Sequence, residues 1–401
     1  MPDHLKQCFT FCSIFPKGYE ITKDHLIAQW IAHRFINPMN DELPEDIGSA
    51  YFDSLMKLCF LQDASRNFYT YQLVYRMHDL IHDLTRQILQ HEVVTSLQKN
   101  MTPNCILRCR YLCLTSSTEK ICRNLFDKVH SLYVSSGNPS FDKPIKKCCH
   151  VRSVVLDYTI YTPFPLFILK FEFLSYLRMC NVSCMELPES ISGCWNLQTL
   201  HVMHCKGFTG LPESIGKLKK LRTLELLMVT DLKSLPQSIG DCQDLRSLQL
   251  YSCYKLIEIP NNIGNIENLR VLDIVNCSCV YRQVQEFIGK LRNIERINLS
   301  GCHYLRDLPR TFSCRTLRNL NLSRTSITLL PQWVTLIGTL ECIELECCMN
   351  LVEFPKGIEN LRRLEVLNIN GCLKLRCIPS GFGQLTRLRW LGPVCCWQWW
   401  R

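Results

Sequence analysis

A repeating arrangement of apolar residues and prolines runs through most of the chain. From residue 187 to 382 a phrase of the type L-P-x-S-I-G recurs, and most of its prolines are 24 residues apart. One interval is 49 residues, the length of two repeats, and Gln285 occupies the position where a proline is expected between them. The prolines are Pro188, Pro212, Pro236, Pro260, Pro309, Pro331, Pro355 and Pro379.

A second phrase, L-x-x-L-x-L, lies between the prolines. Its three apolar positions predict a short β-strand with one face turned inward. A unit of this length cannot bury that face by itself, so neighbouring repeats must stack. The two phrases are the leucine-rich-repeat signature. They predict an α/β leucine-rich-repeat solenoid (a horseshoe) of about 13 repeats over residues 105–401.

The second, fourth and sixth positions after the first leucine point to the opposite face of each strand. We call these positions the ladder and expect them to be exposed. Charged, amide, hydroxyl and apolar side chains alternate there without a recurring nucleophile and base. This mixture favours partner recognition over catalysis, and we expect no enzyme activity. The candidate partner-binding residues are His201, Glu225, Gln249, Tyr251, Asp273, Arg296, Asn298, Asn321, Glu344, Glu346 and Asn368.

Residues 1–97 have a different pattern, in which helical periodicity gives way to an aromatic-rich segment and then returns. Helices followed by a hairpin predict a small winged-helix domain before the solenoid, joined to it by a linker at 98–104. The predicted elements are a helix ended by Pro16 and Gly18, a helix over 23–33 capped by Thr22, a helix over 46–58, a hairpin of 60–63 and 68–75, and a helix from Met77.

Three motifs in this domain resemble the last subdomain of the plant NB-ARC module. They are P-D-H-L-K-Q-C-F-T-F-C-S-I-F-P at 2–16, L-I-A-Q-W-I-A at 26–32 and M-H-D at 77–79. NB-ARC is the nucleotide switch of NLR disease-resistance receptors, here of the coiled-coil type. The resemblance implies an N-terminally truncated receptor whose repeats recognise pathogen effectors or guarded host proteins in plant defence. His33 and Arg34 depart from the family, which often has an acidic residue and glycine there.

The same resemblance implies that His78, within Met77-His78-Asp79, contacts a phosphate of ADP. However, no G-x-x-x-x-G-K-[ST] phosphate-binding loop occurs in the sequence. We therefore expect no cofactor for this chain alone, although the full-length family binds ADP or ATP. From the residues themselves, Asp79 is predicted to cap the fourth helix and His78 to pack at its start. His78 and His82 have the spacing H-x-x-x-H, which is a weak signal for a zinc-binding site. We expect no metal.

The formal net charge is +10. Residues 1–150 carry 17 Lys and Arg against 15 Asp and Glu, and the rest carry 29 against 21, so the second part holds +8. The small excess in residues 1–150, which include the winged-helix domain, argues against a nucleic-acid partner. Four arginines that directly follow a strand's first leucine predict one basic row: Arg222, Arg246, Arg270 and Arg318.

Cysteine is abundant, with 26 residues, and six recur at the strand exit. A thiol at that position is expected to be buried as a small apolar group with a weak donor. Reduced thiols and the lack of a signal peptide predict a cytoplasmic or nuclear protein. No apolar run is long enough to span a membrane. The six are Cys205, Cys253, Cys277, Cys302, Cys348 and Cys372.

Two functions remain open. The first is recognition of an effector or guarded host protein, or regulation of an intact NLR, within plant immunity. The alternative is a leucine-rich-repeat adaptor or decoy with no signalling activity of its own. An adaptor unrelated to immunity predicts no contact between residues 1–97 and the first repeats.

Overall fold

The computed structural model describes residues 2–38, 42–66, 73–89, 92–95, 108–114, 120–121, 128–135, 140–141, 150–157, 164–277, 282–377 and 380–392. The predicted linker at 98–104, Pro379 and part of the predicted hairpin turn lie outside these residues. The chain divides into two compact units. The first unit comprises 1–184 and 190–201, and the second comprises 185–189 and 202–401.

The first unit begins with helices and a three-stranded antiparallel sheet of order β1-β3-β2. Thr22 caps α2 as predicted, because its hydroxyl oxygen accepts the His25 N–H at 3.4 Å. α3 starts before the predicted residue 46 because Pro44 suits a first helical turn. The elements are α1 Asp3–Phe11, β1 Ile21–Thr22, α2 Lys23–Ala32, α3 Pro44–Lys57, β2 Leu61–Arg66, β3 Leu73–Met77 and α4 Asp79–Ile88.

Parallel strands follow in the same unit. They pair in the order β4-β5-β7-β9-β10, and β6 and β8 form a separate parallel pair. The strands are β4 Val93–Thr95, β5 Tyr111–Leu114, β6 Lys120–Ile121, β7 Ser131–Ser135, β8 Ser140–Phe141, β9 Ser153–Asp157, β10 Tyr176–Cys180 and β11 Thr199–Met203. The division between the two units falls within β11.

The winged-helix core and the ladder face of these first strands form one apolar core. Cys113, Tyr133 and Val155, which are in register on β5, β7 and β9, are buried with the winged-helix residues Phe11 and Phe15. The Phe15 and Tyr133 rings lie 6.2 Å apart, edge to face. The winged helix therefore occupies the face on which the later repeats carry the predicted binding residues.

Polar contacts complete this packing. The His33 imidazole lies 2.9 Å from the Ser153 hydroxyl, which donates to Ser131 at 2.7 Å. The Arg178 guanidinium donates to the Tyr19 hydroxyl. An adaptor unrelated to immunity predicts no contact between residues 1–97 and the first repeats. The observed contacts contradict that expectation.

The second unit repeats one strand and one turn per 22 to 25 residues. Its strands from β12 onward pair in parallel in chain order, so each repeat hydrogen-bonds only to its neighbours. The strands are β12 Thr223–Leu227, β13 Ser247–Tyr251, β14 Val271–Val275, β15 Arg296–Asn298, β16 Asn319–Asn321, β17 Cys342–Glu344, β18 Val366–Asn368 and β19 Trp390–Leu391.

The L-P-x-S-I-G phrases form short 3-10 helices on the side opposite the strands. Proline precedes the turn in extended conformation, as at Pro212 with φ −74° and ψ 156°. The repeat that has Gln285 in place of proline forms a seven-residue α-helix instead, Arg282–Ile288. The 3-10 turns are Leu166–Lys170, Glu189–Gly193, Glu213–Lys217, Gln237–Asp241, Asn261–Asn265, Gln332–Leu336, Ile358–Asn360 and Ser380–Gln384.

The six strand-exit cysteines are buried, as predicted. Their thiols also connect repeats. Cys302 Sγ lies 3.1 Å from the Ile274 carbonyl, and Cys348 Sγ lies 3.0 Å from that of Leu322. Five of the six thiols donate to a backbone carbonyl of the preceding repeat in this way, and a purely apolar side chain would leave that carbonyl without the partner.

A left-handed residue directly precedes each strand-exit core position. At seven of the nine positions listed below, the N–H of this residue donates to the next repeat, as from Met228 to the Tyr251 carbonyl at 2.8 Å. Only two of the nine positions are glycine, although this conformation costs other residues about 1 kcal/mol or more. The nine are Asn181, His204, Met228, Ser252, Asn276, Gly301, Arg324, Cys347 and Gly371.

The His33-Arg34 departure from the family falls at the end of α2. Arg34 is left-handed, with φ 61°, and its N–H donates to the Ile31 carbonyl at 3.0 Å. This is the helix-terminal position that favours glycine. The adjacent Arg152 also places a like charge near Arg34.

We predict that Arg34→Gly stabilises the protein relative to Arg34→Ala. Both substitutions remove the same charge, and only glycine relieves the left-handed strain, so the difference should be about 1 kcal/mol. Urea unfolding of the two variants measures it. Equal midpoints would contradict a conformational penalty at this residue.

Burial lowers the pKa of His33 to about 3, helped by the nearby His130 and Arg152, whose positive charge would oppose a second one. The folded chain thus keeps His33 neutral below pH 6.5, whereas the unfolded chain binds the proton. The free energy of unfolding should therefore fall as pH drops from 6.5 towards 3.

Between about pH 7.5 and about pH 5.5, His33 should account for a loss of about 1 kcal/mol. His33→Phe should remove that part of the pH dependence, whatever it does to stability at neutral pH. His303→Phe, at an exposed position of the second unit, is the matched control. Urea titrations at both pH values provide the measurement, and an unchanged pH dependence in His33→Phe would refute the assignment.

Candidate partner-binding surface

Seven ladder residues of the second unit form one continuous row. They occupy the fourth position after the first leucine of their strands. Each is in register with the same position of the next strand, from Glu225 opposite Gln249 to Glu344 opposite Asn368. Carboxylates and amides are interspersed along the row, and neighbouring strands are about 4.8 Å apart. We call this set the central row: Glu225, Gln249, Asp273, Asn298, Asn321, Glu344 and Asn368.

The three asparagines of the central row are oriented by their own backbone. The side-chain oxygens of Asn298, Asn321 and Asn368 accept the N–H two residues later, at 3.0, 2.9 and 3.2 Å. Such local bonds replace ladder bonds and end each strand at the asparagine. They also leave the amide N–H groups as donors, and that of Asn321 donates to Glu344 at 3.2 Å.

Asp273 is the centre of a buried polar network. Its side chain is 1% exposed. The Tyr251 hydroxyl donates to one carboxylate oxygen at 2.6 Å, and Arg296 donates to both oxygens at 2.8 and 3.2 Å. Burial and the Asp273 charge raise the pKa of Tyr251 well above its usual value, so the phenol stays protonated and donates.

We expected the whole ladder to be exposed. This expectation is wrong for six of the eleven candidate partner-binding residues. His201 lies under α2, with its ring 4.2 Å from that of His25. The others are less than 9% exposed. The six buried residues are His201, Glu225, Gln249, Tyr251, Asp273 and Asn368.

The other five candidate residues are half-buried and therefore accessible to a partner: Arg296, Asn298, Asn321, Glu344 and Glu346. Burial and the charge of Glu346 raise the pKa of Glu344. An incoming positive charge would relieve that repulsion, which favours basic or amide-rich partner segments here.

The predicted basic row is interrupted. Glu295 stands between Arg270 and Arg318, linked to both by backbone hydrogen bonds of 2.8 Å. Arg318 pairs with Glu341 at 3.0 Å. The later part of the row therefore contains both charges, because Glu295, Glu341 and Glu365 occupy the same strand position as the arginines.

His78 caps α4, which corrects the assignment of that role to Asp79. The His78 Nδ1 accepts the Leu80 N–H at 3.2 Å, and Asp79 is the first helical residue. Met77 is buried at the end of β3, and His78 is half-buried. The capping bond occupies one ring nitrogen, and a lone imidazole without a phosphate-binding loop does not suit a nucleotide. Contact with ADP stays a prediction.

Neither the Tyr251–Asp273–Arg296 network nor the left-handed row was predicted from sequence. The signal for the network was a tyrosine and an arginine in the repeats next to one buried aspartate. The left-handed row had a weaker signal, namely Asn or Gly before the cysteine in some repeats.

Comparison with known proteins agrees with this arrangement. Residues 14–85 match the disease resistance protein winged helix domain, and residues 128–351 match the leucine-rich repeat region family. The chain belongs to the plant NLR disease-resistance family.

Two relatives illustrate the similarity of this NLR chain. Disease resistance protein RGA2 of Solanum bulbocastanum is 35% identical over 97 residues, covering 24% of the chain and 10% of the relative. Disease resistance RPP13-like protein 4 of Arabidopsis thaliana is 22% identical over 223 residues, covering 53% and 25%. The chain spans a quarter or less of either relative.

A solved structure shows the same fold. The TLR13–ssRNA13 complex superposes with a TM-score of 0.55 at 21% identity, covering 74% of this NLR chain and 49% of that chain. Among the described residues, no helix is long and apolar enough to cross a membrane.

We predict that Arg296→Ala destabilises the protein by about 3 kcal/mol, because it leaves a buried carboxylate without its cation. Adding Asp273→Asn should recover part of the loss. Arg318→Ala breaks an exposed pair and should cost less than about 1 kcal/mol. Chemical unfolding of the three variants tests this. Similar losses for the two arginine variants would show that Asp273 is not held by a buried ion pair.

Proposed function

We propose that this chain is the recognition region of an intracellular plant immune receptor, acting in the cytoplasm or nucleus. Its ladder binds a pathogen effector or a guarded host protein in the defence response. The observation that carries the proposal is the half-buried part of the central row, in which Asn298, Asn321 and Glu344 stand in strict strand register. A row of this kind offers fixed donors and acceptors at regular spacing, which suits a protein partner.

The accessible residues of the ladder define the surface that the partner would contact. Asn298 and Asn321 offer oriented amide donors, whereas Glu344 and Glu346 offer two close carboxylates. The buried Tyr251–Asp273–Arg296 network holds Arg296 beside them. A partner with a basic or amide-rich segment matches this arrangement.

Continuity between the winged helix and the first repeats supports a receptor over an independent adaptor. In the receptors that this chain resembles, the repeats hold the nucleotide switch inactive until a partner binds. The shared core from Phe15 to Val155 is a rigid route for such coupling.

The proposal gives the chain no catalytic role. Purified protein should therefore hydrolyse neither ATP nor ADP, as followed by phosphate release. Turnover that disappears in His78→Ala would contradict this part of the proposal.

Affinity capture from infected and healthy plant tissue tests the partner. The wild-type chain should retain a protein whose direct binding, measured with purified components, weakens at least tenfold in Asn321→Ala/Glu344→Lys. Glu353→Lys makes the same charge reversal at an exposed position off the ladder and should bind normally.

Three results would count against ladder recognition. The captured protein could be insensitive to the ladder variant, it could be lost equally in the control, or it could be an intact NLR bound through the winged helix. The last result would favour the decoy regulator.

A further inference from the structure

Basic residues precede three successive paired strands of the first unit in a common pattern. Each pair flanks a fully buried residue, namely Cys109, Val129 or Val151, so the two basic side chains of a pair stand on either side of an anchored position. The pairs are Arg108 and Arg110 before β5, Lys128 and His130 before β7, and His150 and Arg152 before β9.

Backbone hydrogen bonds hold the three pairs side by side. The His130 N–H donates to the Arg110 carbonyl at 2.7 Å, and the Arg152 N–H donates to the His130 carbonyl at 2.8 Å. Adjacent pairs are therefore about 4.8 Å apart, the spacing of neighbouring strands. We call these six residues the basic grid.

Five residues of the grid line a cavity of about 590 Å³. Ile88 at the end of α4 and Glu92 complete the described lining. The volume lies in the range of small-molecule sites. Arg152 belongs to the grid without lining this cavity.

The charge of the cavity is not balanced. Glu92 is its one acidic residue among those described, and it lies 3.8 Å from Arg110. Neither Arg108 nor Lys128 forms an ion pair with an acidic residue in the described part of the chain. Burial, with the nearby Arg110, Arg152 and His150, lowers the pKa of His130 to about 4. In the second unit, arginines at the same strand position pair with acids, as Arg318 does with Glu341.

We propose that the basic grid binds a small anion that carries two or more linked phosphate groups. Arginine forks and a lysine suit phosphate oxygens, and the strand spacing lets neighbouring side chains hold neighbouring phosphates. Among the described lining residues the aromatic rings are the imidazoles of His130 and His150, which lie 6.0 Å apart, and there is no Phe, Tyr or Trp to form a stacking platform for bases. The described lining thus favours an oligophosphate over single-stranded RNA.

Calorimetric titration of the full chain with inorganic tripolyphosphate, and separately with inorganic phosphate, tests the site. Tripolyphosphate should bind at least tenfold more tightly, because several grid residues act on one ligand. Arg108→Gln/Lys128→Gln should weaken tripolyphosphate binding at least tenfold, since charged hydrogen bonds are lost. Arg362→Gln/Arg363→Gln, the same charge change at exposed positions of the second unit, should not.

Arg110→Lys keeps the charge and removes the fork, so it should bind with intermediate affinity and fold normally. The proposal is overturned if tripolyphosphate binds no more tightly than phosphate, or if the control variant loses as much affinity as the grid variant. It is also overturned if a single-stranded RNA of equal charge displaces tripolyphosphate at a lower concentration.

Discussion

The inward leucines of each repeat are the constraint on which the rest depends. A repeat cannot bury them alone, so each strand must lie in parallel register beside the next. This register places the fourth-position side chains of the second unit in one row. It also places the strand-exit thiols of successive repeats beside carbonyls of the preceding repeat. The candidate site is thus a by-product of core formation, and its spacing is that of the strands.

The two ends of this arrangement serve different purposes. In the first unit the ladder face is covered by the winged helix, and Tyr133 and Val155 are core residues. In the second unit the same positions carry the carboxylates and amides of the central row. One repeating backbone therefore supplies both an intramolecular packing surface and a candidate recognition surface, depending on which side chains occupy the ladder.

Much of the fold could be predicted because it follows from local periodicity and caps. The Thr22 cap and the six buried strand-exit cysteines are of this kind. Exposure of the ladder was predicted poorly, because burial of Tyr251 and Asp273 depends on neighbouring repeats and not on their own strand. The His78 cap was missed because either of two adjacent polar residues could serve. Arg34 shows the opposite case, where a departure from the family's glycine marked a left-handed residue.

Hydrogen–deuterium exchange of the chain with and without its captured partner tests the central claim most directly. Recognition through the ladder predicts protection confined to the strands from Arg296–Asn298 to Cys342–Glu344, where the accessible residues lie. Protection confined to the 3-10 turns such as Gln332–Leu336, with these strands unchanged, would contradict recognition through the ladder.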